Sequence, residues 1–530
     1  MVPETLIIKI IFLLQAVGVH LLWLYWIQTK EYRFDRFFVF LKTQDGMREL
    51  LVIHTLIKFL VIMVGFFLNP FLFLYLVEIF FLLIYFLTLF IKRRLRKPVF
   101  TKRLVRISLI SCLCTFITLF VLKTDFWIGL FYSELSLIIG PVVGVFLTGL
   151  SVKKTLETEK KEARRILSSV KPIVIGITGS YGKTTTKDFV AHLLSQKYKT
   201  AKTEGSENTE FGIARKTFKN VKSYTKFFIV EMGAYKIGEI NKLAAIVSPV
   251  IGVITGIEEQ HLSLFGSLEN IKKAKFELIE SLPKGGTAIF NLSNKYTQEL
   301  MEKAKKLNKE LKTYGYYMLK DKDTVKTADF RSKVVSADVG GITFEVTDGK
   351  ERRKFTTSLH GVHFIENLTG AILIARIMGV SWREIEKGVA TLTNTEHTMN
   401  VFELANGNIV VDDSYNSTPK GFEAALTYLN LFKDKKKVVV TPGIIELGNL
   451  SDKVHKELGD LMTGVVDKVF VLSNEAHRVI RDTANQKTSI NLVNEPEDLI
   501  QELEKINESV ILLEGRQPAK LIKYLEEKRR

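Results

Sequence analysis

Cysteine is nearly missing from this chain of 530 residues: there are two, Cys112 and Cys114. They stand one residue apart in an apolar run, a spacing that is neither a redox pair nor a zinc knuckle. Both read as small apolar residues. Acidic residues are also in short supply, 57 against 75 Lys and Arg, which leaves a net charge of +18. That excess could suggest nucleic acid, but no recognised reader motif accompanies it. Much of it flanks hydrophobic segments instead, as membrane topology requires, so no nucleic-acid partner is expected. Nor does the first apolar segment end in a small-residue cleavage site, and it is expected to stay in place.

What is abundant is phenylalanine, 36 residues of it, crowded towards the N-terminus. Five apolar segments lie in the first 150 residues: Leu6 to Ile27, Leu51 to Leu68, Phe71 to Ile91, Val105 to Leu122 and Ile128 to Leu150. Each approaches the ~20 residues that cross a bilayer core. Lys30, Arg33, Arg36, Lys42 and Arg48 fill one loop; Lys92, Arg93, Arg94, Arg96, Lys97, Lys102 and Arg103 fill another. The alternate loops hold little more than Asn69-Pro70, a tight-turn signal, and Lys123 with Asp125. The positive-inside rule puts the basic loops in the cytoplasm. The expectation is a multi-pass protein of the cell membrane, with its N-terminus outside and everything after Leu150 cytoplasmic. Phe37 to Leu41 reads as an interfacial helix. Lys58 and Glu78 fall inside segments, as functional groups or as a structural pair with each other or with a neighbouring helix.

After Leu150 the pattern changes. Lys153 to Leu167 reads as an exposed linker helix. Pro172 to Ile177 is a short β-branched strand, followed by Thr178-Gly179-Ser180-Tyr181-Gly182-Lys183-Thr184-Thr185-Thr186 and a helix through Leu194. Strand, glycine loop, Lys-Thr pair and helix form a phosphate-binding loop. Its glycines let backbone N–H groups approach phosphate oxygens, and the helix N-terminus adds positive potential. Lys183 can reach terminal phosphates, and the Thr184 hydroxyl can ligate Mg²⁺. Further strands, Lys226 to Val230, Val250 to Ile254 and Thr287 to Phe290, lead to Glu231, His261 and Asn291, where an open α/β sheet carries its site. Ala328 to Thr357 reads as a β-rich insertion. Lys437 to Thr441, Val469 to Leu472 and Ser509 to Leu513 are buried strands of a Rossmann-like C-terminal domain.

In order along the chain, Thr178 to Thr186, Asn208-Thr209-Glu210-Phe211-Gly212, Glu231-Met232-Gly233, His261-Leu262, Lys273-Ala274-Lys275, Asn291, His363 to Asn367, Asp412-Asp413-Ser414-Tyr415-Asn416 and Gly443 to Gly448 resemble the Mur ligases. The resemblance covers roughly 170–525 and is nearest the MurF branch, which adds D-alanyl-D-alanine to a muramoyl peptide. It implies an ATP-dependent acid–amino-acid ligase of peptidoglycan biosynthesis. ATP phosphorylates a carboxylate, an amine attacks the acyl phosphate, and an amide forms.

The resemblance also assigns roles. Lys183 would hold the β/γ-phosphates, with Gly179, Ser180, Tyr181, Gly182, Thr184 and Thr185 around them. Thr184 and Glu231 would hold one Mg²⁺, and His261 a second. Lys275 matches a lysine often carbamylated in the family. Asn208 would position acceptor or phosphate. Asn291 and Asn367 would contact nucleotide, and Asp413, Tyr415 and Asn416 would close over the site. On the residues alone, Glu231 could instead be a strand-end carboxylate, His261 a loop histidine, Lys275 a solvated lysine, and Asp413 to Asn416 a plain turn.

Three positions depart from the family pattern: Phe364 follows His363 where Asn is usual, Thr398 follows His397 where Arg is usual, and Glu514-Gly515-Arg516 replaces Lys-Gly-Ser. The UDP-binding N-terminal domain is replaced by apolar segments. The expected architecture is thus a five-helix membrane domain (1–150), a linker helix (151–170), a P-loop central domain (171–395) and a Rossmann-like C-terminal domain (396–530). The expected partners are an amino acid or dipeptide amine and a carboxylate-bearing cell-envelope precursor, lipid-linked through the membrane part. A ligase building another peptide polymer, a non-catalytic membrane scaffold and an ATP-driven transporter remain as alternatives.

Overall fold

The computed structural model describes all residues except 1–3, 43, 66, 68–70, 92–94, 122–124, 206, 259–261, 308–309, 320–327, 395–396, 415–416, 445–446, 448–449 and 484–486. The chain folds as two units, Met1–Thr158 and Glu159–Arg530.

The first unit is helical: α1 (Glu4–Thr29), α2 (Phe34–Leu41), α3 (Gln44–Glu49), α4 (Val52–Gly65), α5 (Phe71–Ile91), α6 (Lys102–Phe116) continued by a π-helical turn (Ile117–Val121), and α7 (Phe126–Val170). Among the described residues four helices are long and apolar enough to cross a membrane: Ile7–Thr29, Phe73–Ile91, Lys102–Val121 and Phe126–Val170. The second of the five expected segments differs. Its helix, Val52–Gly65, has 14 residues, and at 1.5 Å per residue that is about 21 Å, short of a ~30 Å hydrocarbon core. The Asn69-Pro70 turn lies outside the described residues. The fifth segment and the expected linker helix are one continuous helix of 45 residues, because nothing between Leu150 and Lys153 breaks it.

Lys58 and Glu78 do not pair with each other. The Lys58 ammonium lies 2.6 Å from Glu134, to which the Tyr75 hydroxyl donates at 3.0 Å and the Gln15 amide at 3.4 Å. All four side chains are buried, so α1, α4, α5 and α7 meet on one satisfied ion pair. Glu78 pairs instead with His54 at 2.6 Å. Both expected cytoplasmic loops lie together: Gln28 makes paired hydrogen bonds with the Val99 backbone at 2.7 and 2.8 Å, and Arg96 meets Glu49 at 3.0 Å.

The second unit is built on two sheets. The first contains β1 (Ile173–Thr178), β2 (Thr200–Lys202), β3 (Phe227–Glu231), β4 (Ile251–Ile254), β5 (Thr287–Asn291), β6 (Lys312–Met318), β7 (Phe330–Asp338), β8 (Gly341–Thr347) and β9 (Arg352–Thr357). Their order is β2-β3-β1-β4-β5-β6-β7-β8-β9. The pairs from β2 through β7 are parallel, and β8 and β9 are antiparallel. The expected β-rich insertion is therefore an extension of the main sheet: β7 pairs with β6 in parallel, and the alternating residues Ile342, Phe344 and Val346 of β8 bury one face. Its helices are α8 (Lys183–Ser195), α9 (Glu210–Asn220), α10 (Glu239–Val247), α11 (Leu262–Phe265), α12 (Leu268–Glu280), α13 (Lys295–Lys305), α14 (Phe364–Ile377) and α15 (Trp382–Ala390). The end of α7 is not wholly exposed, since Ala163 and Leu167 join the core formed by Val174, Ile213 and Phe228.

The second sheet contains β10 (Asn400–Glu403), β11 (Ile409–Asp413), β12 (Lys436–Thr441), β13 (Lys468–Val471), β14 (Ser489–Leu492) and β15 (Ser509–Glu514), in the order β10-β11-β15-β12-β13-β14. The strands are parallel apart from β10. Around it run α16 (Pro419–Leu429), α17 (Ser451–Thr463), α18 (Asn474–Ile480), α19 (Pro496–Glu504) and α20 (Ala519–Glu527). Val-rich strands covered on both faces explain the near-continuous apolar runs in the sequence.

Candidate functional site

The loop after β1 turns on Gly182, whose φ of +71° is left-handed. A Cβ there would also lie 2.5 Å from the Asn367 amide oxygen, so both backbone angle and space require glycine. Gly182 caps α8, whose first residue is Lys183. The loop is fastened to the strand beside it. The Ser180 hydroxyl donates to the Glu258 carbonyl at 3.1 Å and accepts from its N–H at 3.0 Å, and the Thr255 hydroxyl donates to the Tyr181 carbonyl. The Tyr181 ring lies against Gly256, where a Cβ would meet its Cζ at 2.2 Å, and burial raises its phenol above the ordinary range. Thr185 is buried in the first turn of α8.

Glu231, at the end of β3, gathers the expected ligands. The Thr184 hydroxyl donates to one carboxylate oxygen at 2.8 Å, the Asn208 amide donates to the other at 2.9 Å, and the carboxylate is buried. Lys183 is half-buried and donates to the Ser180 carbonyl at 3.1 Å. Burial holds its pKa below the lysine range, and Glu231 partly offsets this. Lys275 on α12 is not a solvated lysine. It is 3 % exposed, lies 3.4 Å from the Ala234 carbonyl, and is brought down to a pKa of about 7 by burial first and by the Lys183 charge second. Two cations thus stand in each other's field beside one carboxylate, the arrangement expected where anionic phosphate is to be held.

Asn291 donates to the Thr255 carbonyl at 2.7 Å and to Glu366. Asn367 spends its amide oxygen on the Thr186 hydroxyl at 3.3 Å, so it braces the loop from α14. Phe364 is a core residue packed on Phe189, which gives the departure at that position a structural role. His363 is half-buried, and desolvation lowers its pKa to about 4, so it is neutral near pH 7. Asp413 lies beside Glu514 across the β11–β15 pair, and its pKa is raised to about 7 by burial. It also accepts from the Met399 N–H at 3.2 Å, while His397 pairs with Asp412 at 2.7 Å. His261, Tyr415 and Asn416 lie outside the described residues.

Three residues at this site escaped the sequence reading. Lys187, one turn beyond Lys183, is fully buried, donates to the Gly205 carbonyl at 2.9 Å and lies 3.6 Å from Glu231. The periodicity of α8 points it inward, which was its signal. Glu366 and Lys420 come from distant segments and gave none.

For a divalent cation the oxygen donors of Thr184 and Glu231 fit a hard ion that completes its shell with phosphate and water. Among the described residues no cluster of three His, Cys, Asp or Glu surrounds a common point.

Comparison with known proteins fits this geometry. Residues 177–375 match the Mur ligase middle domain, and residues 399–516 match the Mur ligase glutamate ligase domain. The UDP-N-acetylmuramoyl-tripeptide–D-alanyl-D-alanine ligase of Bacillus subtilis is 31 % identical over 60 % of this chain and 66 % of its own length. The enzyme of that name from Synechocystis is 31 % identical over 57 % of this chain and 62 % of its own. The chain thus spans about two thirds of these relatives. The structure of a MurF ligase from Thermotoga maritima in complex with ADP superposes with a TM-score of 0.59 at 25 % identity, covering 70 % of this chain and 84 % of that one. Two ligase domains in this order, with the glycine loop and Glu231 where the middle domain matches, make this chain a member of the Mur ligase family.

Proposed function

We propose that the chain is an ATP-dependent amide-bond ligase, with its catalytic unit on the cytoplasmic side of a membrane in which its N-terminal helices are anchored. The observation that carries this reading is the Glu231 carboxylate, held by Thr184 and Asn208 beside Lys183. ATP would bind with its phosphates along Gly179–Thr185. Lys183 supplies positive charge at the terminal phosphates as a substrate carboxylate attacks the γ-phosphorus. ADP leaves, and the resulting acyl phosphate is attacked by an amine, releasing phosphate and forming the amide. Mg²⁺, bound through Thr184 and Glu231, would neutralise charge on the phosphates.

Lys275 suits carbamylation, because an amine with a pKa of about 7 is substantially unprotonated at neutral pH. Its nitrogen can add to CO₂ with loss of a proton. The product is an anion lying near Lys183 that could serve as a second metal ligand. His261, Tyr415, Asn416 and Asp413 complete the proposed set, as the family order implies.

The relatives are named for joining D-alanyl-D-alanine to a UDP-muramoyl tripeptide. For this chain we infer an amine of that kind, an amino acid or a dipeptide, and a cell-envelope carboxylate that is lipid-linked. The apolar helices and the two basic loops joined at one end of the first unit support membrane anchoring, with four parts divided near 150, 170 and 395.

The test is ADP release by the full-length protein in native-like membranes with Mg·ATP. It is challenged with D-alanyl-D-alanine or single amino acids, with and without a lipid extract containing cell-wall precursors. Release that needs both an amine and the lipid fraction supports the reading. Full activity on a UDP-linked precursor without lipid removes the lipid-linked acceptor, and no stimulation by any pair removes the ligase.

A further inference from the structure

Among the described residues, Lys420 brings the C-terminal domain to the phosphate loop. Lys420 is the second residue of α16, after the capping Thr418 and Pro419. Its ammonium lies 2.8 Å from the Glu258 carboxylate and 5.4 Å from the centre of the Tyr181 ring. Both neighbours belong to the loop assembly: Tyr181 is within the loop, and the Glu258 backbone is fastened to Ser180. A cation from one domain therefore stands at the rim of the other domain's anion-binding loop.

Two further observations separate this lysine from an ordinary surface ion pair. A lysine in the first turn of a helix faces the positive end of the helix dipole, which disfavours it there. Its position does not serve the helix. Its side chain also remains 61 % exposed while the Glu258 side chain is 18 % exposed, so the ammonium has open space to turn into while the carboxylate is enclosed. A polyphosphate bound along Gly179–Thr185 carries several negative charges against the one on Glu258, and a mobile ammonium beside it follows the larger charge.

We propose that Lys420 is a nucleotide-binding residue contributed by the C-terminal domain, exchanging Glu258 for a phosphate of the bound nucleotide. The proposal rests on the reading of this loop as an ATP site, but not on the ligase chemistry.

The test measures affinities of the full-length protein in detergent micelles for Mg·ATP and for adenosine, by titration calorimetry. Lys420→Ala is expected to weaken ATP about tenfold, the size of one charge-assisted contact, and to leave adenosine unchanged. Lys420→Arg should remain within about twofold of the wild type, and Glu258→Gln, which frees the lysine, should bind ATP as tightly or more tightly. Were the pair merely a strut between domains, Glu258→Gln would weaken ATP as much as Lys420→Ala, and that result overturns the proposal. So does unchanged ATP affinity in Lys420→Ala. Failure of the wild type itself to bind ATP overturns the underlying site as well, and is told apart from the other outcomes by that control.

Discussion

The two units differ in how they treat buried charge, although the ligase unit also holds a buried pair of opposite sign, Lys187 with Glu231 at 3.6 Å. In the helical unit Lys58 meets Glu134, and the remaining capacity of that carboxylate is met by Tyr75 and Gln15. In the ligase unit like charges are brought together: Lys183 with Lys275, and Asp413 with Glu514. A neutralised pair is a device for holding helices together. Like charges forced together raise the energy of the protein by itself and fall in energy when a ligand of opposite charge or a proton arrives, so perturbed groups mark a working site.

The largest expected effect comes from removing the cation meant for the ligand. Lys183→Ala should cut amine-dependent ADP release by about 10²–10³-fold while leaving thermal stability near that of the wild type, because a half-buried cation whose one hydrogen bond is to a backbone carbonyl contributes little to the fold. A large loss of stability instead would move Lys183 to the structural side of the comparison.

In the helical unit the expectation is reversed. Lys58→Ala leaves the Glu134 carboxylate buried without its cation and should cost about 3–5 kcal/mol, read as a lowered unfolding temperature in detergent. The double replacement Lys58→Met with Glu134→Leu should recover most of that loss. A double variant as unstable as the single one would show that the pair does more than hold helices.

Lys275 sharpens the contrast through pH. Its pKa of about 7 means that the unprotonated amine, the form that reacts with CO₂, gains population as pH rises from 6 to 8. A carbamate resonance from ¹³C-bicarbonate should grow over that interval, should be lost in Lys275→Ala, and should track activity. Activity indifferent to bicarbonate removal would exclude the carbamate.

The smallest effect is expected at the carboxyl pair. The pKa of Asp413 is raised to about 7 and that of Glu514 is also raised, by burial first and then by Asp413. The protonated forms are the stable ones in the fold, so their contribution is full at acid pH and declines as pH rises towards 7. Glu514→Gln should therefore stabilise the protein at pH 8, on the order of 1–2 kcal/mol, and much less at pH 5. Equal effects at both values would remove the like-charge account.

How far the sequence could be read followed the distance between partners. The glycine loop was legible because strand, turn, Lys183 and Thr184 are contiguous and each supplies a local signal. Glu231 and Lys275 were singled out through family order, and only the fold shows that Asn208 and Thr184 converge on one and that burial perturbs the other. Lys58 drew attention as a charge in an apolar segment, but Glu134, its partner 76 residues away, sits among Ser133 and Ser136 and was passed over. The short strands β2, β6, β10 and β14 were missed because three or four residues at a sheet edge, or a tyrosine-rich strand such as β6, leave too weak an alternation to read. Lys420 gave no local signal, because its partner Glu258 comes from a distant segment.

The Lys58–Glu134 pair also bears on how the protein is made. Its two members are 76 residues apart in the chain, and at ~5–20 residues per second a ribosome needs roughly 4–15 s to pass from one to the other. Through that interval the lysine of α4 has emerged and the glutamate of α7 does not yet exist. A short apolar helix bearing an uncompensated ammonium inserts poorly by itself. On the membrane anchoring proposed above, the entry of α4 into the bilayer is thus tied to the synthesis of α7.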